Sequence, residues 1–137
     1  ESYTGDFDDV AKAKEATLAA IAQGADIHYH ILNLGHRGME QAAREKGTRM
    51  IGSYTDRCGA DPLYIAFSIT GVGFQVEHAI DRFVAGTWQP EFKPFGLAMG
   101  PESSGFVICE GSTPEIEAKL AAIQADLLGG RITTLDS

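Results

Sequence analysis

Long apolar runs, basic clusters and recognisable cysteine motifs are all missing from this chain of 137 residues. No apolar stretch approaches the about 18 residues that a membrane-spanning helix requires. Acidic residues outnumber basic ones by 19 to 11, giving a net charge of −8, and no local group of Lys and Arg offsets the excess. Because such a chain repels phosphate backbones, nucleic acid is not an expected partner.

The N-terminus and the cysteines indicate neither a signal peptide nor a zinc site. The first residues, ESYTGDFDD, contain neither the basic nor the apolar segment of a signal peptide, so none is expected there. Cys58 and Cys109 lie outside any C-x-x-C motif, so a tetrahedral zinc site lacks its usual ligands. Two cysteines are compatible both with a disulfide and with free thiols.

Short apolar strands alternate with amphipathic helices from the N-terminus to Ala85. The alternation predicts βαβ units and an α/β fold, with a parallel sheet between two layers of helices. The predicted elements are a β-like piece at Ser2–Thr4, a helix at Asp8–Gln23, a strand at Asp26–Leu32, a helix at Met39–Lys46, strands at Arg49–Ser53 and Leu63–Ser68, and a helix at Val72–Ala85.

The sequence after Gly86 has a different character. Three prolines in WQPEFKPFGLAMGPESSG predict an irregular connection, with one strand near Phe95–Ala98 and another at Phe106–Cys109. Thr113 followed by Pro114 predicts the start of a last helix, because a hydroxyl N-cap and a proline at the first helical position are typical of helix N-termini.

Polar side chains and glycines follow three of the predicted strands, where ligands bind in open parallel sheets. Hydrogen-bonding side chains suit a neutral polar ligand, and glycines allow the backbone to approach it closely. The polar residues are Asn33, His36, Tyr54, Thr55, Asp56, Arg57, Ser68 and Thr70, and the glycines are Gly35, Gly38, Gly71 and Gly73. Of these we select Asn33, Gly35, His36, Tyr54, Asp56 and Thr70 as the candidate ligand-binding residues.

Three of the four histidines lie within the stretch DIHYHILNLGH. One interpretation is a metal site, since His28 and His30 share a face of a strand and His36 with Asp56 would complete the shell. The other is that the first two are core histidines and that His36 lies in solvent or lines a pocket. No Ser or Cys sits in a nucleophile elbow, and the G-x-G after Thr70 lacks the third glycine of a dinucleotide fingerprint. We therefore expect no catalytic residue, metal or cofactor.

Asp56 and Tyr54 each have two interpretations. An Asp after a strand caps a turn, or it accepts hydrogen bonds from the vicinal hydroxyls of a sugar. Tyr54 offers an aromatic face or a phenolic hydroxyl to a ligand.

The runs FDDVAKAKEATLAAIAQGADIHYH, GMEQAAREKGTRMIGSYTDR and IDRFVAGTW resemble the C-terminal half of the basic membrane protein family. These are substrate-binding lipoproteins of ABC transporters, related to purine nucleoside receptors and built on the type I periplasmic binding protein fold. The resemblance extends from about Tyr3 to Ile132. It rests on the order of D-x-x-K-x-K-E-A, Q-G-A-D, Q-A-A-x-E-K-G, I-G-x-x-x-D and G-T-W.

The resemblance implies a receptor and not an enzyme, in which two Rossmann-like lobes close around a small polar or heteroaromatic solute. Residues 1–69 would belong mainly to the second lobe, and residues 70–137 would contain the hinge crossing, the connector and the C-terminal helix. The permease subunits of an ABC importer would be partners. A lipid anchor outside this chain would hold the protein in the periplasm or at the outer face of the cytoplasmic membrane.

The sequence departs from the family at several ligand positions. The glycine-rich turn of the family is replaced by Leu-Asn-Leu-Gly-His at Leu32–His36, and the acid and lysine of the nucleoside-binding branch are replaced by Tyr54 and Thr70. Asp56 matches an acid of the pattern. The ligand therefore need not be a nucleoside, and the alternatives are a ligand-sensing domain of a signalling receptor and a metal-dependent hydrolase.

Overall fold

The computed structural model describes residues 3–54, 56–109 and 111–133, and it has the predicted α/β architecture, a four-stranded sheet flanked by helices. Its strand order is β1-β2-β3-β4. The elements are α1 (Val10–Ala22), β1 (Ile27–Tyr29), α2 (His36–Lys46), β2 (Arg49–Ser53), β3 (Tyr64–Ile69), α3 (Val72–Val84), a 3-10 turn (Leu97–Met99), β4 (Gly105–Ile108) and α4 (Pro114–Leu128).

The sheet is mixed. Strands β1, β2 and β3 run parallel to one another. Strand β4 runs antiparallel to β3, because the N–H of Cys109 bonds to the carbonyl of Ile65 while Gly105, earlier in β4, lies against Ile69, later in β3. The three parallel strands bring their carboxyl ends to one edge of the sheet.

The chain divides into two compact units, and the first comprises Glu1–Ser68 and Val107–Gly111. Its helices α1 and α2 pack closely, because Gly38 has no Cβ; one built there would lie 1.9 Å from the carbonyl oxygen of Val10. The buried cluster against the sheet consists of Ala43, Met50, Leu63 and Tyr64, with Met39 packed on it. These contacts hold α2 in place at the edge of the sheet.

Local sequence explains where these helices begin and end. The carboxylate of Asp9 caps α1 by accepting the N–H of Lys12 at 2.9 Å. Gly47 ends α2 in the left-handed conformation, with φ of 70°. Helix α2 begins at His36, three residues before the predicted start at Met39, so His36 lies in the first turn of the helix.

The second unit comprises Ile69–Phe106 and Ser112–Ser137. Gly71 precedes α3 with φ of 52°, and a Cβ there would lie 2.2 Å from the carbonyl oxygen of Ser103. The hydroxyl of Thr113 caps α4 by accepting the N–H of Ile116 at 3.3 Å, as the sequence predicts. The apolar face of α3 is exposed, with Phe83 74% accessible.

Other boundaries differ from the sequence predictions. The strand predicted at Phe95–Ala98 is wrong: Leu97–Met99 form a 3-10 turn, and the flanking prolines remove N–H donors that a strand ladder needs. Tyr3 and Thr4 belong to no strand, and Ser2 lies outside the described residues. Strand β1 ends at Tyr29, three residues earlier than predicted.

No helix in the described part of the chain is long and apolar enough to cross a membrane.

Candidate functional site

A cavity of about 160 Å³ lies in the first unit at the carboxyl ends of β1 and β2, and we call it the strand-end cavity. Its lining residues are His30, Leu32, Asn33, His36, Gly52, Ser53, Tyr54, Arg57 and Tyr64. Pockets that enclose a whole drug-sized ligand usually measure about 300–1,000 Å³, whereas a cavity of about 150 Å³ holds a single benzene ring. The strand-end cavity therefore has room for one ring or one anionic group.

Hydrogen bonds to the N-terminal segment hold the turn between β1 and α2 in place. The carbonyl of Phe7 accepts the N–H groups of Asn33 and Gly35, each at 3.0 Å. A Cβ on Gly35 would lie 2.8 Å from that carbonyl oxygen, so a side chain does not fit there. The carboxylate of Asp8 also accepts the N–H of Leu34 at 3.0 Å. These bonds hold Asn33 and the start of α2 at the cavity.

The rings of His30 and His36 stack at the cavity with centroids 5.5 Å apart. The Nδ1 of His30 accepts the N–H of Leu32 at 3.3 Å, so the proton of the neutral ring is on Nε2. Burial lowers the pKa of His30, and the neighbouring His36 lowers it further. The Nδ1 of His36 lies 2.5 Å from the carbonyl of Asn33, which can only accept, so this nitrogen carries a proton.

Glu40 lies behind two of the lining residues. Its carboxylate accepts the hydroxyl of Tyr64 at 2.6 Å and lies 3.7 Å from the Nε2 of His36. Burial and the carboxylate of Glu40 both raise the pKa of the Tyr64 phenol, so Tyr64 stays neutral. The carboxylate of Glu40 thus interacts with both Tyr64 and His36.

Tyr54 has an unusual backbone conformation. Its φ is 63°, and it is the only residue other than glycine with a positive φ in the described part of the chain. A side chain in this region costs on the order of 1–2 kcal/mol, which is why glycine usually occupies it. The side chain of Tyr54 is 54% exposed and lines the cavity. The strained backbone turns the chain sharply at the end of β2.

Arg57 lies in the loop that connects β2 to β3, and its guanidinium is 5.9 Å from the centroid of the Tyr64 ring. A disulfide joins Cys58, the next residue, to Cys109 across 51 residues of chain. The structure thus decides between the two cysteine states that the sequence left open. The bond fastens the loop that carries Arg57 to the end of β4.

The structure places three of the six candidate residues, Asn33, His36 and Tyr54, in the lining of the cavity. Gly35 is the N-cap of α2, between two of them. Asp56 is not a lining residue; its carboxylate caps a turn by accepting the N–H of Cys58 at 2.8 Å. Thr70 belongs to the second unit, where its carbonyl accepts the side chain of Gln75 at 3.1 Å. Thr55 lies outside the described residues.

Sequence reasoning left several lining residues out of the selected set. Arg57 is among the polar residues that follow β2 but was not selected. His30 lies inside the predicted strand Asp26–Leu32, but the structure places it just after the end of β1, where it is buried and lines the cavity. Ser53 is the last residue of β2, both as predicted and as observed, and it is also buried and lines the cavity. Tyr64 comes from the amino end of β3, so no rule about carboxyl ends indicates it.

The histidines form no metal site among residues 3–54, 56–109 and 111–133, where no group of three or more potential ligands is close enough to hold a metal ion. The Nε2 of His28 lies 3.0 Å from the hydroxyl of Thr48, and burial lowers the pKa of His28. His28 is therefore a core histidine with a hydrogen-bond partner.

Ser53 and His30 approach the geometry of a nucleophile and a base, with 3.5 Å between the hydroxyl oxygen and Nδ1. The hydroxyl instead donates to the carbonyl of His30 at 3.1 Å. Since Nδ1 already accepts the N–H of Leu32, this pair is arranged for structure and not for proton transfer.

No protein-family model matches this sequence, and no curated protein matches it either. Solved structures do. An ABC transporter solute-binding protein from Aeropyrum pernix K1 is 22% identical with a TM-score of 0.78, over 99% of this chain and 47% of that one. Another from Conexibacter woesei DSM 14684 is 24% identical with a TM-score of 0.67, over 98% of this chain and 45% of that one.

A third similar structure is a transcriptional activator of the comK gene from Bacillus halodurans, 16% identical with a TM-score of 0.81, over 97% of this chain and 47% of that one. The chain thus has a fold that occurs in ABC transporter solute-binding proteins. It spans about half the length of the structures it matches.

Proposed function

We propose that this chain forms the C-terminal half of a two-lobed solute-binding protein that serves an ABC importer and belongs to the basic membrane protein type. The strand-end cavity is then one wall of its ligand site. The observation that carries this proposal is the gathering of Asn33, His36 and Tyr54 around one cavity at the carboxyl ends of parallel strands. The ligand is a small polar or heteroaromatic solute, nucleoside-like or related.

The size of the cavity and the exposed surfaces support a shared site. The volume of about 160 Å³ is about half or less of what encloses a whole small ligand. The exposed apolar face of α3 is of a kind that proteins normally cover with further structure. In a two-lobed receptor the ligand contacts both lobes only in the closed state, so binding shifts the equilibrium towards closure.

Under this proposal residues 1–69 form most of the second lobe, and residues 70–137 contain the hinge crossing, the connector and the C-terminal helix. Gly35, Asp56 and Thr70 stay proposed ligand-binding residues beside the three that line the cavity. For Asp56 the variant Asp56→Asn separates the two roles, because the amide oxygen keeps the turn bond to Cys58 while the charge is lost.

The Cys58–Cys109 disulfide supports a location outside the cytoplasm, where such bonds persist. We place the protein in the periplasm or at the outer face of the cytoplasmic membrane, with a lipid anchor outside this chain. Its partners are the solute and the permease subunits. The bonds that occupy His30 and Ser53 favour binding over catalysis.

Isothermal titration of the whole protein that carries this chain, against nucleosides, nucleobases and related heteroaromatic compounds, tests the proposal. We expect one class to bind, and Asn33→Ala to weaken its binding. Gln41→Ala, which removes an exposed amide from α2, is the matched control and should bind normally. The 137-residue chain alone should bind much more weakly than the whole protein. Equal affinity of the two would refute a shared site.

A second candidate function is ligand sensing for a signalling partner, and the structural likeness to a transcriptional activator favours it. The net charge of −8 speaks against direct contact of this chain with DNA. The coding sequence upstream distinguishes the two functions: a lipid-attachment motif favours transport, and a fused effector or membrane segment favours sensing.

A further inference from the structure

We infer that the strand-end cavity binds an oxyanion, so that the solute is a carboxylate or phosphate compound and not a neutral nucleoside. This inference rests on the proposed binding function and makes the chemical class of its ligand more specific. The feature that carries it is Arg57, a cation that lines the cavity and is accompanied there by no carboxylate among the lining residues that the structure describes.

The charge of Arg57 is not neutralised by an ion pair in the described structure, although its guanidinium lies over the ring of Tyr64. Within residues 3–54, 56–109 and 111–133, no carboxylate lies at ion-pair distance from its guanidinium. Three acids of this region have other partners: Asp56 accepts the N–H of Cys58, Asp61 pairs with Arg44, and Glu40 accepts the hydroxyl of Tyr64. An arginine without an ion pair, beside a cavity, is typical of sites that bind carboxylate or phosphate groups.

The other polar atoms of the cavity also favour an anion. Because the Nδ1 of His30 accepts the N–H of Leu32, its Nε2–H is the donor that remains. Asn33 adds an amide with two further N–H donors. None of the described lining residues is an acid, so the cavity offers several donors and one fixed positive charge.

Arg57 is also held in place. Its guanidinium lies near the face of Tyr64, and the disulfide of Cys58 fixes the backbone of the next residue. Tyr64 is itself buried, 4% exposed, and is bonded to Glu40. A cation positioned in this way loses little conformational freedom when it binds a ligand, which favours tight and specific binding.

The side chains that line the cavity therefore carry a positive charge, opposite in sign to the net charge of −8 of the whole chain. Salt screens charges that lie more than about 8–10 Å apart, so the excess of distant surface acids weakens anion binding less than the adjacent arginine strengthens it. The volume of about 160 Å³ accommodates a phosphate group, or a carboxylate on a single ring.

Matched pairs of ligands test the charge directly. The whole protein is titrated with nicotinate and nicotinamide, which share a shape, and with adenosine 5′-monophosphate and adenosine. Inorganic phosphate alone is a further probe. We expect the anion of at least one pair to bind about 10- to 100-fold more tightly than its neutral partner. The pair that responds tells a carboxylate from a phosphate ligand.

Variants then assign the preference to Arg57. Arg57→Gln should remove the preference for the anion, whereas Arg57→Lys should keep part of it, because the charge stays and the planar fork is lost. Arg37→Gln is the matched control, since it removes the same charge from an exposed position on α2 outside the cavity. Circular dichroism confirms that each variant is folded.

The outcomes separate this inference from the proposed function. Binding of neutral solutes at least as tight as that of their anions overturns the inference and leaves the solute-binding role intact. A preference for anions that survives in Arg57→Gln, or that is lost in Arg37→Gln, overturns the assignment to Arg57. If no solute of either charge binds the whole protein, the proposed function fails together with the inference.

Discussion

The rings of His30 and His36 lie nearly parallel, with an angle of 15° between their planes. His30 follows the end of β1 and His36 is the first residue of α2, so the stack joins a strand to the helix that follows it. The hydrogen bond from Ser53 to the carbonyl of His30 adds β2 to the same contact. Three elements thus meet at one wall of the strand-end cavity.

The stability of the fold should decrease as the pH falls below about 6.5, the ordinary pKa of histidine. Burial lowers the pKa of His28, and burial together with His36 lowers that of His30, while Asp26 and Glu40 oppose these shifts. The unfolded chain therefore takes up protons at a higher pH than the folded chain, which favours unfolding in this range.

Urea denaturation at several pH values between 7.5 and 5 measures this effect. In the unmodified protein, the free energy of unfolding should decrease as the pH is lowered from 7.5 to 5. The double variant His28→Gln/His30→Gln should be less stable at neutral pH but should depend less on pH. A profile that has the same slope in both proteins would show that other groups cause the dependence.

Replacing Tyr54 should separate the strain of its backbone from the role of its side chain. Tyr54→Gly removes the ring but suits φ of 63°, so the free energy of unfolding should stay the same or rise by up to about 1 kcal/mol. Tyr54→Ala removes the ring and keeps the strain. Both variants should bind the solute more weakly, as titration calorimetry would measure.

Tyr54→Phe is the control for the hydroxyl group, since it retains both the ring and the strained backbone. Normal binding by Tyr54→Phe would assign the contact to the ring. If Tyr54→Gly is clearly less stable than the unmodified protein, the left-handed conformation at this position is not strained in solution.

Patterns that depend on local chemistry could be predicted from the sequence. Strand β2 has the predicted bounds, and the Thr113 cap of α4 follows directly from hydroxyl and proline preferences. The order of strands and helices indicated the α/β class. The sequence also indicated that residues after β1 and β2 would come together, because parallel strands share a carboxyl edge.

Features that depend on contacts distant in sequence could not be predicted. The turn after β1 is held by the bonds from Asn33 and Gly35 to Phe7, a residue far away in the sequence, so no local pattern indicates it. The contribution of Tyr64 to the cavity depends on how β3 pairs with β2. The sequence predicts that Gly38 lets the backbone approach a ligand. In the structure, Gly38 instead lies against the backbone of α1.

Loss of the disulfide should weaken both the fold and ligand binding. A bond that closes 51 residues of chain stabilises by about 4 kcal/mol in the chain-entropy description, and native bonds usually give about 2–4 kcal/mol. The double variant Cys58→Ser/Cys109→Ser should lose a similar amount of unfolding free energy. Its affinity for the solute should also fall, because the loop that carries Arg57 is no longer fastened.

Reductant provides the control for this prediction. Dithiothreitol should destabilise the unmodified protein to about the level of the double variant, and it should leave the variant itself unchanged. An unmodified protein whose unfolding curve does not respond to reductant would contradict a stabilising bond between Cys58 and Cys109.

Adding one methyl group at Gly38, where α1 packs on α2, should destabilise the fold more than adding one at an exposed helix position. A Cβ at Gly38 would lie 1.9 Å from the carbonyl oxygen of Val10 and 2.9 Å from the N–H nitrogen of Lys14, and backbone atoms cannot move aside as a flexible side chain does. Gly38→Ala should therefore reduce the free energy of unfolding by about 1–3 kcal/mol or more. Because α2 carries His36, ligand affinity should fall as well.

Gly73→Ala is the matched control for this substitution. Gly73 also lies in a helix, but a Cβ there would meet no atom within 4 Å. Alanine loses less conformational freedom on folding than glycine, so Gly73→Ala should raise the free energy of unfolding by about 0.5–1 kcal/mol. Urea denaturation of both variants measures the difference. Equal effects of the two substitutions would mean that α1 and α2 are not in close contact at Gly38.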